Sequence, residues 1–167
     1  KKIFSVGIPP LDNEGLCYDR KNNRLLIVSK NNPGKDAESK GKHPVYGFDL
    51  NQEVLLQGPV LNFDISEIKK FAADKGIKPS QGDGKISFRP SAIGIHPLTS
   101  KLYVLSAVER ILCVFNINGT IEYIEKLNPE LFNMPEGITF LPNGDMLISN
   151  EGRINPPTIL RFNYKSK

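Results

Sequence analysis

The stretch Ser91-Ala92-Ile93-Gly94-Ile95-His96-Pro97, followed by Lys101-Leu102-Tyr103-Val104-Leu105-Ser106, decides the fold, because the chain carries it in three versions. Upstream stand Glu14-Gly15-Leu16-Cys17-Tyr18-Asp19 and Arg24-Leu25-Leu26-Ile27-Val28-Ser29. Downstream stand Glu136-Gly137-Ile138-Thr139-Phe140-Leu141-Pro142 and Asp145-Met146-Leu147-Ile148-Ser149. Gly15, Ala92 and Gly137 align, with spacings of 77 and 45 residues. A period of about 40–50 residues is that of one four-stranded propeller blade. The longer spacing calls for an insertion in the first unit.

Within each unit, short apolar runs are separated by turn chemistry. Ala92–His96 and Lys101–Ser106 read as strands around Pro97-Leu98-Thr99-Ser100, and Ile111–Ile117 and Thr120–Lys126 as strands around Asn118-Gly119. Asn-Gly between apolar runs signals a hairpin, because both residues tolerate positive φ. Asn143-Gly144 repeats it in the third unit, and Thr158–Tyr164 reads as that unit's third strand. Strands apolar at most positions suit sheets covered on both faces. The reading is therefore all-β: three four-stranded antiparallel propeller blades over about 11–62, 89–128 and 134–164, with one short inserted helix. The helix is expected over about 64–76. Asp64 and Glu67 have capping-box spacing, Ile65, Ile68, Phe71 and Ala72 share a face, and Gly76 suits the left-handed end. Lys30–His43 reads as a polar loop with His43 in solvent, and Gly82-Asp83-Gly84 as a turn.

The 167 residues fit about one domain. The chain is 39% hydrophobic and 24% charged, which excludes a disordered tail, a collagen and a coiled coil. No apolar run is long enough to span a membrane as a helix. The net charge of +4 is scattered, so a nucleic-acid partner is not expected. Cys17 and Cys113 sit in apolar runs and read as unpaired buried thiols; two cysteines make neither a disulfide framework nor a four-ligand zinc site. Ser29, Ser106 and Ser149 align, but no Gly-x-Ser-x-Gly elbow surrounds them, and no phosphate-binding glycine motif is present.

Four segments in this order, Glu14-Gly15-Leu16-Cys17-Tyr18-Asp19, Arg89-Pro90-Ser91-Ala92-Ile93, Met134-Pro135-Glu136-Gly137-Ile138 and Ile148-Ser149-Asn150-Glu151-Gly152, resemble the bacterial SdiA-regulated family over nearly the whole chain. The resemblance implies a β-propeller, six-bladed when complete, in the bacterial cell envelope, periplasmic or surface-exposed. It also suggests calcium. Three blades do not close a ring, since propellers typically have about 4–8. The chain starts at Lys1 without an initiator Met. The expectation is the C-terminal half of a longer protein, with the missing blades from the same protein or from a second copy. Lys2–Pro9 would be the outer strand of a preceding blade.

The first strand of a propeller blade lines the central channel, so the repeat places Glu14, Ser91 and Glu136 around one mouth of it. Converging carboxylates raise one pKa or attract a cation, and calcium takes about 6–8 oxygen ligands. Glu14, Glu136, Glu151 and Asn150 are the candidate metal ligands, and Ser91, Asn13 and Asn133 the candidate ligand-binding residues. Glu before Gly at a strand start can also simply bond backbone amides of the neighbouring blade. His96 before Pro97 reads as a turn residue. Two functional classes follow: a binding propeller taking a small molecule or protein partner at the channel mouth, or a metal-dependent hydrolase of the lactonase-like propeller type. A structural scaffold without a ligand-sized pocket is the third.

Overall fold

The computed structural model describes residues 1–8, 12–31, 41–80, 84–152 and 156–166. Most of the expected 30–43 loop, with Gly82 and Asp83, lies outside them. The first sheet holds β1 (Asn13–Asp19), β2 (Arg24–Ser29), β3 (Lys42–Asp49) and β4 (Val54–Asp64). Helix α1 (Ile65–Asp74) follows. The second sheet holds β5 (Ala92–Ile95), β6 (Leu102–Ser106), β7 (Ile111–Phe115) and β8 (Ile121–Lys126). The third holds β9 (Pro135–Phe140), β10 (Met146–Asn150) and β11 (Thr158–Phe162), with no fourth strand among the described residues. Every neighbouring pair is antiparallel and follows chain order. The first two sheets are the four-stranded blades the repeat predicts, and the third shows three of the expected four strands among the described residues.

Side-chain alternation stacks the sheets face to face. Leu26, Val28 and Val45 of the first sheet meet Ile93, Leu102, Val104, Ile111 and Cys113 of the second in one buried cluster. The opposite face of the second sheet, Ala92, Leu105 and Leu112, meets Ile148 and Ile138 of the third. Strand positions two apart share a face, so β6 sends Leu102 and Val104 one way and Leu105 the other. Phe63 stacks on Phe115 at 4.1 Å, and Phe88 meets both edge-on. Burying each such side chain contributes about 1.5–3 kcal/mol.

Several hairpins among the described residues are closed by one left-handed residue. Gly119 (φ +85°) and Gly144 (φ +90°) do this in two, and Asn23, Ser100 and Arg110 at positive φ in others. Asn118 and Asn143 do not take positive φ; the Asn116 carboxamide accepts instead from the Asn118 and Thr120 amides. The turns are thus three-residue loops ending in a left-handed residue rather than two-residue Asn-Gly turns. Helix α1 starts as expected: the Asp64 side chain accepts from the Ser66 and Glu67 amides, and Ile68 and Ala72 are buried. The hydrogen bond from the Ser66 hydroxyl, first among its contacts, holds the Asp64 carboxyl below the usual aspartate value.

Two expectations are corrected. Residues 2–8 form no strand of a neighbouring blade. The outer face of the first sheet is apolar, and it takes the nearest apolar segment: Ile8 packs on Ile27 and Phe48, Phe4 lies 5.3 Å from Phe48, and Lys2 pairs with Glu53 at 2.6 Å. His43 is not in solvent. It is fully buried in β3, edge-on to Phe88, with Nε2 2.7 Å from the Ser29 carbonyl oxygen. The one-residue phase of β3 turns His43 into the core with Val45. Cys113 is buried and Cys17 half-buried; both are unpaired. Burial pushes the Cys17 thiol up to about 12 and raises that of Cys113 as well, so neither is a ready nucleophile.

Candidate functional site

Strands β1, β5 and β9 are the first of their sheets, and β5 lies against both others. Close approach requires small residues there. A Cβ on Gly15 would stand 2.4 Å from Val28 and 3.2 Å from the Ile93 backbone nitrogen. One on Gly94 would press Phe140 at 3.2 Å. The three strands wall one cleft of about 350 Å3, lined by Leu16, Cys17, Tyr18, Gly94, Ile95, Ile138, Thr139 and Phe140. Leu16 is 60% exposed in it, although large and apolar.

At the start of these strands the two Glu-Gly pairs adopt the same irregularity. In β1 the register passes from Asn13↔Ser29 to Gly15↔Val28 and skips Glu14. In β9 it passes from Pro135↔Asn150 to Gly137↔Ser149 and skips Glu136. Each glutamate is therefore the extra residue of a β-bulge, a device that re-aims a side chain out of the alternating pattern. Lys30 stands one residue beyond β2, beside Glu14. Its Nζ donates to Glu14 Oε1 at 2.6 Å, and its amide donates to the Asp12 carbonyl oxygen. The hydrogen bond to Glu14 raises the Lys30 pKa above the ordinary lysine value; the charges of Glu14, Asp12 and Glu136 add to this, and burial opposes it. The acidic ends of the first and third sheets thus act on one ammonium. Sequence reasoning missed Lys30. Its signal was its place one residue after the aligned Ser29.

The other predicted residues divide. The Ser91 hydroxyl is buried and donates to the Pro135 carbonyl oxygen at 2.8 Å, tying the second sheet to the third. Asn13 Oδ1 accepts from Ser29 Oγ at 2.9 Å. Asn150 is buried; its Nδ2 donates to Thr158 Oγ1 and, at 3.3 Å, to the Leu131 carbonyl oxygen. Its Oδ1, with Glu14 Oε2 and Asn133 Nδ2, is buried without a hydrogen-bond partner. Glu151 is exposed, with its amide donating to the Met134 carbonyl oxygen. His96 serves its turn: Nδ1 accepts from the Leu98 and Thr99 amides at 3.3 Å, while the ring packs on Tyr103, Phe140 and Tyr164. Glu109 also escaped the sequence reading. It is fully buried, and its carboxylate accepts from the Ser80 and Ser87 amides at 2.8 and 2.9 Å. It ties the segment after α1 to the second sheet.

Among the described residues no three of His, Cys, Asp and Glu stand together in a metal-holding group. Glu14 Oε2 is buried without a hydrogen-bond partner, while Oε1 of the same carboxylate accepts from Lys30.

No family model matches the chain, and no curated protein does. Among solved structures, that of a luciferin-regenerating enzyme is similar, with a TM-score of 0.50 and 11% identity. The match covers 83% of this chain and 37% of that one, so the chain spans a little over a third of the neighbour's length. That structure is a propeller, and the likeness supports propeller blades here.

Proposed function

We propose that the chain forms the binding arc of a propeller that takes a small molecule or a protein partner at the channel mouth. The observation that carries this reading is the shared cleft: the first strands of all three sheets line it, and the large side chains Leu16 and Tyr18 stand exposed in it. Apolar side chains with exposed backbone polar groups between them, and charged groups at one end of the strands, suit a small-molecule site. Glu14, Lys30 and Glu136 supply those charges, and the ammonium offers donors to a carbonyl or carboxylate. The test is a titration of the 15N-labelled chain with carboxylic acids, amino acids and lactones. The reading expects amide shifts at Leu16, Tyr18, Gly94 and Thr139 that vanish in Tyr18→Ala. Shifts scattered over the surface, or none, contradict it.

The unpartnered Glu14 Oε2 supports a second reading, in which calcium enters beside Lys30 with Glu14 and Glu136 as ligands and the chain belongs to a metal-dependent hydrolase of the lactonase-like type. A bound calcium would supply Lewis acidity at the mouth. Lys30 would then have to swing aside, since it occupies Glu14 Oε1. Calorimetric titration with calcium decides: binding that is lost in Glu14→Gln and accompanied by lactone hydrolysis favours the hydrolase, and no heat removes it. Membership of the SdiA-regulated family and an envelope location, which the sequence resemblance implies, complete the proposal. Fractionation of the native cell tests the location.

A further inference from the structure

A second cleft, of about 400 Å3, opens between the end of β2, the first turns of α1 and the segment leading to β5. Among the described residues its walls hold four cationic side chains, Lys30, Lys69, Lys85 and Arg89, and no aspartate or glutamate. We infer that this cleft binds a compact oxyanion of two or more negative charges, a phosphate ester or a polycarboxylate.

Three observations carry the inference. The first is charge. Like charges held around one small space repel, and a multiply charged anion reverses the sign of that interaction while accepting charge-assisted hydrogen bonds. Among the described residues Lys69 and Arg89 have no carboxylate partner. Lys30 donates one of its three N–H groups to Glu14. The second is shape. Ile65 and Lys69 are four apart on α1, so both face the cleft from the same side of the helix. The third is a fixed floor. The Ser87 amide donates to the buried Glu109 carboxylate at 2.9 Å, and the Arg89 amide to Ser106 Oγ at 3.1 Å. Phe88 between them is buried against His43, Phe63 and Phe115. The backbone that carries Arg89 is therefore positioned before any ligand arrives, which lowers the ordering cost of binding. The site does not rest on the channel-mouth reading; only Lys30 belongs to both.

Isothermal calorimetry on the full chain at low salt, with pyrophosphate and with citrate as probes, tests it. Saturable binding of at least one probe is expected, and Lys69→Glu/Arg89→Glu should weaken it at least about tenfold. Arg20→Glu/Lys21→Glu makes the same change in net charge at the exposed β1–β2 turn and should leave affinity within about twofold. Tyr18→Ala, which alters the channel, should leave it unchanged. A preference for pyrophosphate assigns a phosphate ester, and a preference for citrate a polycarboxylate. No saturable heat with either probe, or equal weakening by the two charge-reversal pairs, overturns the inference. Thermal unfolding of each variant shows that the fold is retained.

Discussion

Lys30 carries the electrostatics of the mouth. Its ammonium sits on Glu14 and feels Glu136, and its pKa lies above the ordinary value of 10.5. A group whose folded pKa is raised contributes stability that is full below the unfolded pKa and is lost as pH rises through the folded one. Urea unfolding should therefore show the wild type losing its advantage over Lys30→Met only above about pH 10.4, with about 1 kcal/mol at stake because the pair is partly exposed. An advantage that is independent of pH would count against the ion pair. His43 behaves in the opposite sense. Burial lowers its pKa, so the folded state favours the neutral ring and stability falls as pH drops below about 6.5. His96, lowered by the same cause, adds to the effect. His43→Leu should lose less stability than the wild type between about pH 7.5 and pH 5, followed by chemical denaturation. The two glutamates were legible because a Glu-Gly pair recurs at aligned positions. Lys30 and the burial of His43 were not, because one follows a strand end and the other depends on strand phase, and a polar-rich stretch hides both.

At the scale of elements, the repeat in sequence is a repeat of backbone irregularities. The bulges at Glu14 and Glu136 occupy the same place in β1 and β9, and each is followed by a glycine whose Cβ would collide with the neighbouring strand. A β-carbon at Gly15 meets Val28 at 2.4 Å and the Ile93 backbone of the next sheet at 3.2 Å. Gly15→Ala should cost about 1–3 kcal/mol, measured as a shift in denaturant midpoint without a change in slope. A neutral result would mean that β1 and β5 are not in this contact. The strands themselves were readable because apolar positions and turn residues alternate at short range, and α1 because Asp64 is a cap with an apolar face behind it. The turn type was not. Whether Asn118 or only Gly119 goes left-handed depends on the Asn116 side chain capturing two amides, a choice that an Asn-Gly pair leaves open. Glu109 was equally hidden, since its partners Ser80 and Ser87 lie in an insertion that has no strand or helix signal.

For the molecule as a whole, three sheets stacked about their first strands make an arc with two end faces, and those faces differ. Residues 2–8 cover the first through Ile8 and Phe4. Among the described residues the last is open, with Ile159 75% exposed while Ile148 on the other face of the same sheet is fully buried. Ile148→Ala should cost about 2–5 kcal/mol and Ile159→Ala no more than about 0.5 kcal/mol. A large cost at Ile159 would show that this face is covered in solution. The central claim is that the bulged glutamates of the first and third sheets both act electrostatically on one ammonium. It is tested most directly by the Lys30 Nζ titration, followed by NMR of 13C-labelled lysine side chains in the wild type and in Glu136→Gln. Removing a charge on the third sheet should lower the pKa of a lysine that follows the first. A Lys30 titration unmoved by Glu136→Gln, with Glu14→Gln alone shifting it, would contradict the shared mouth.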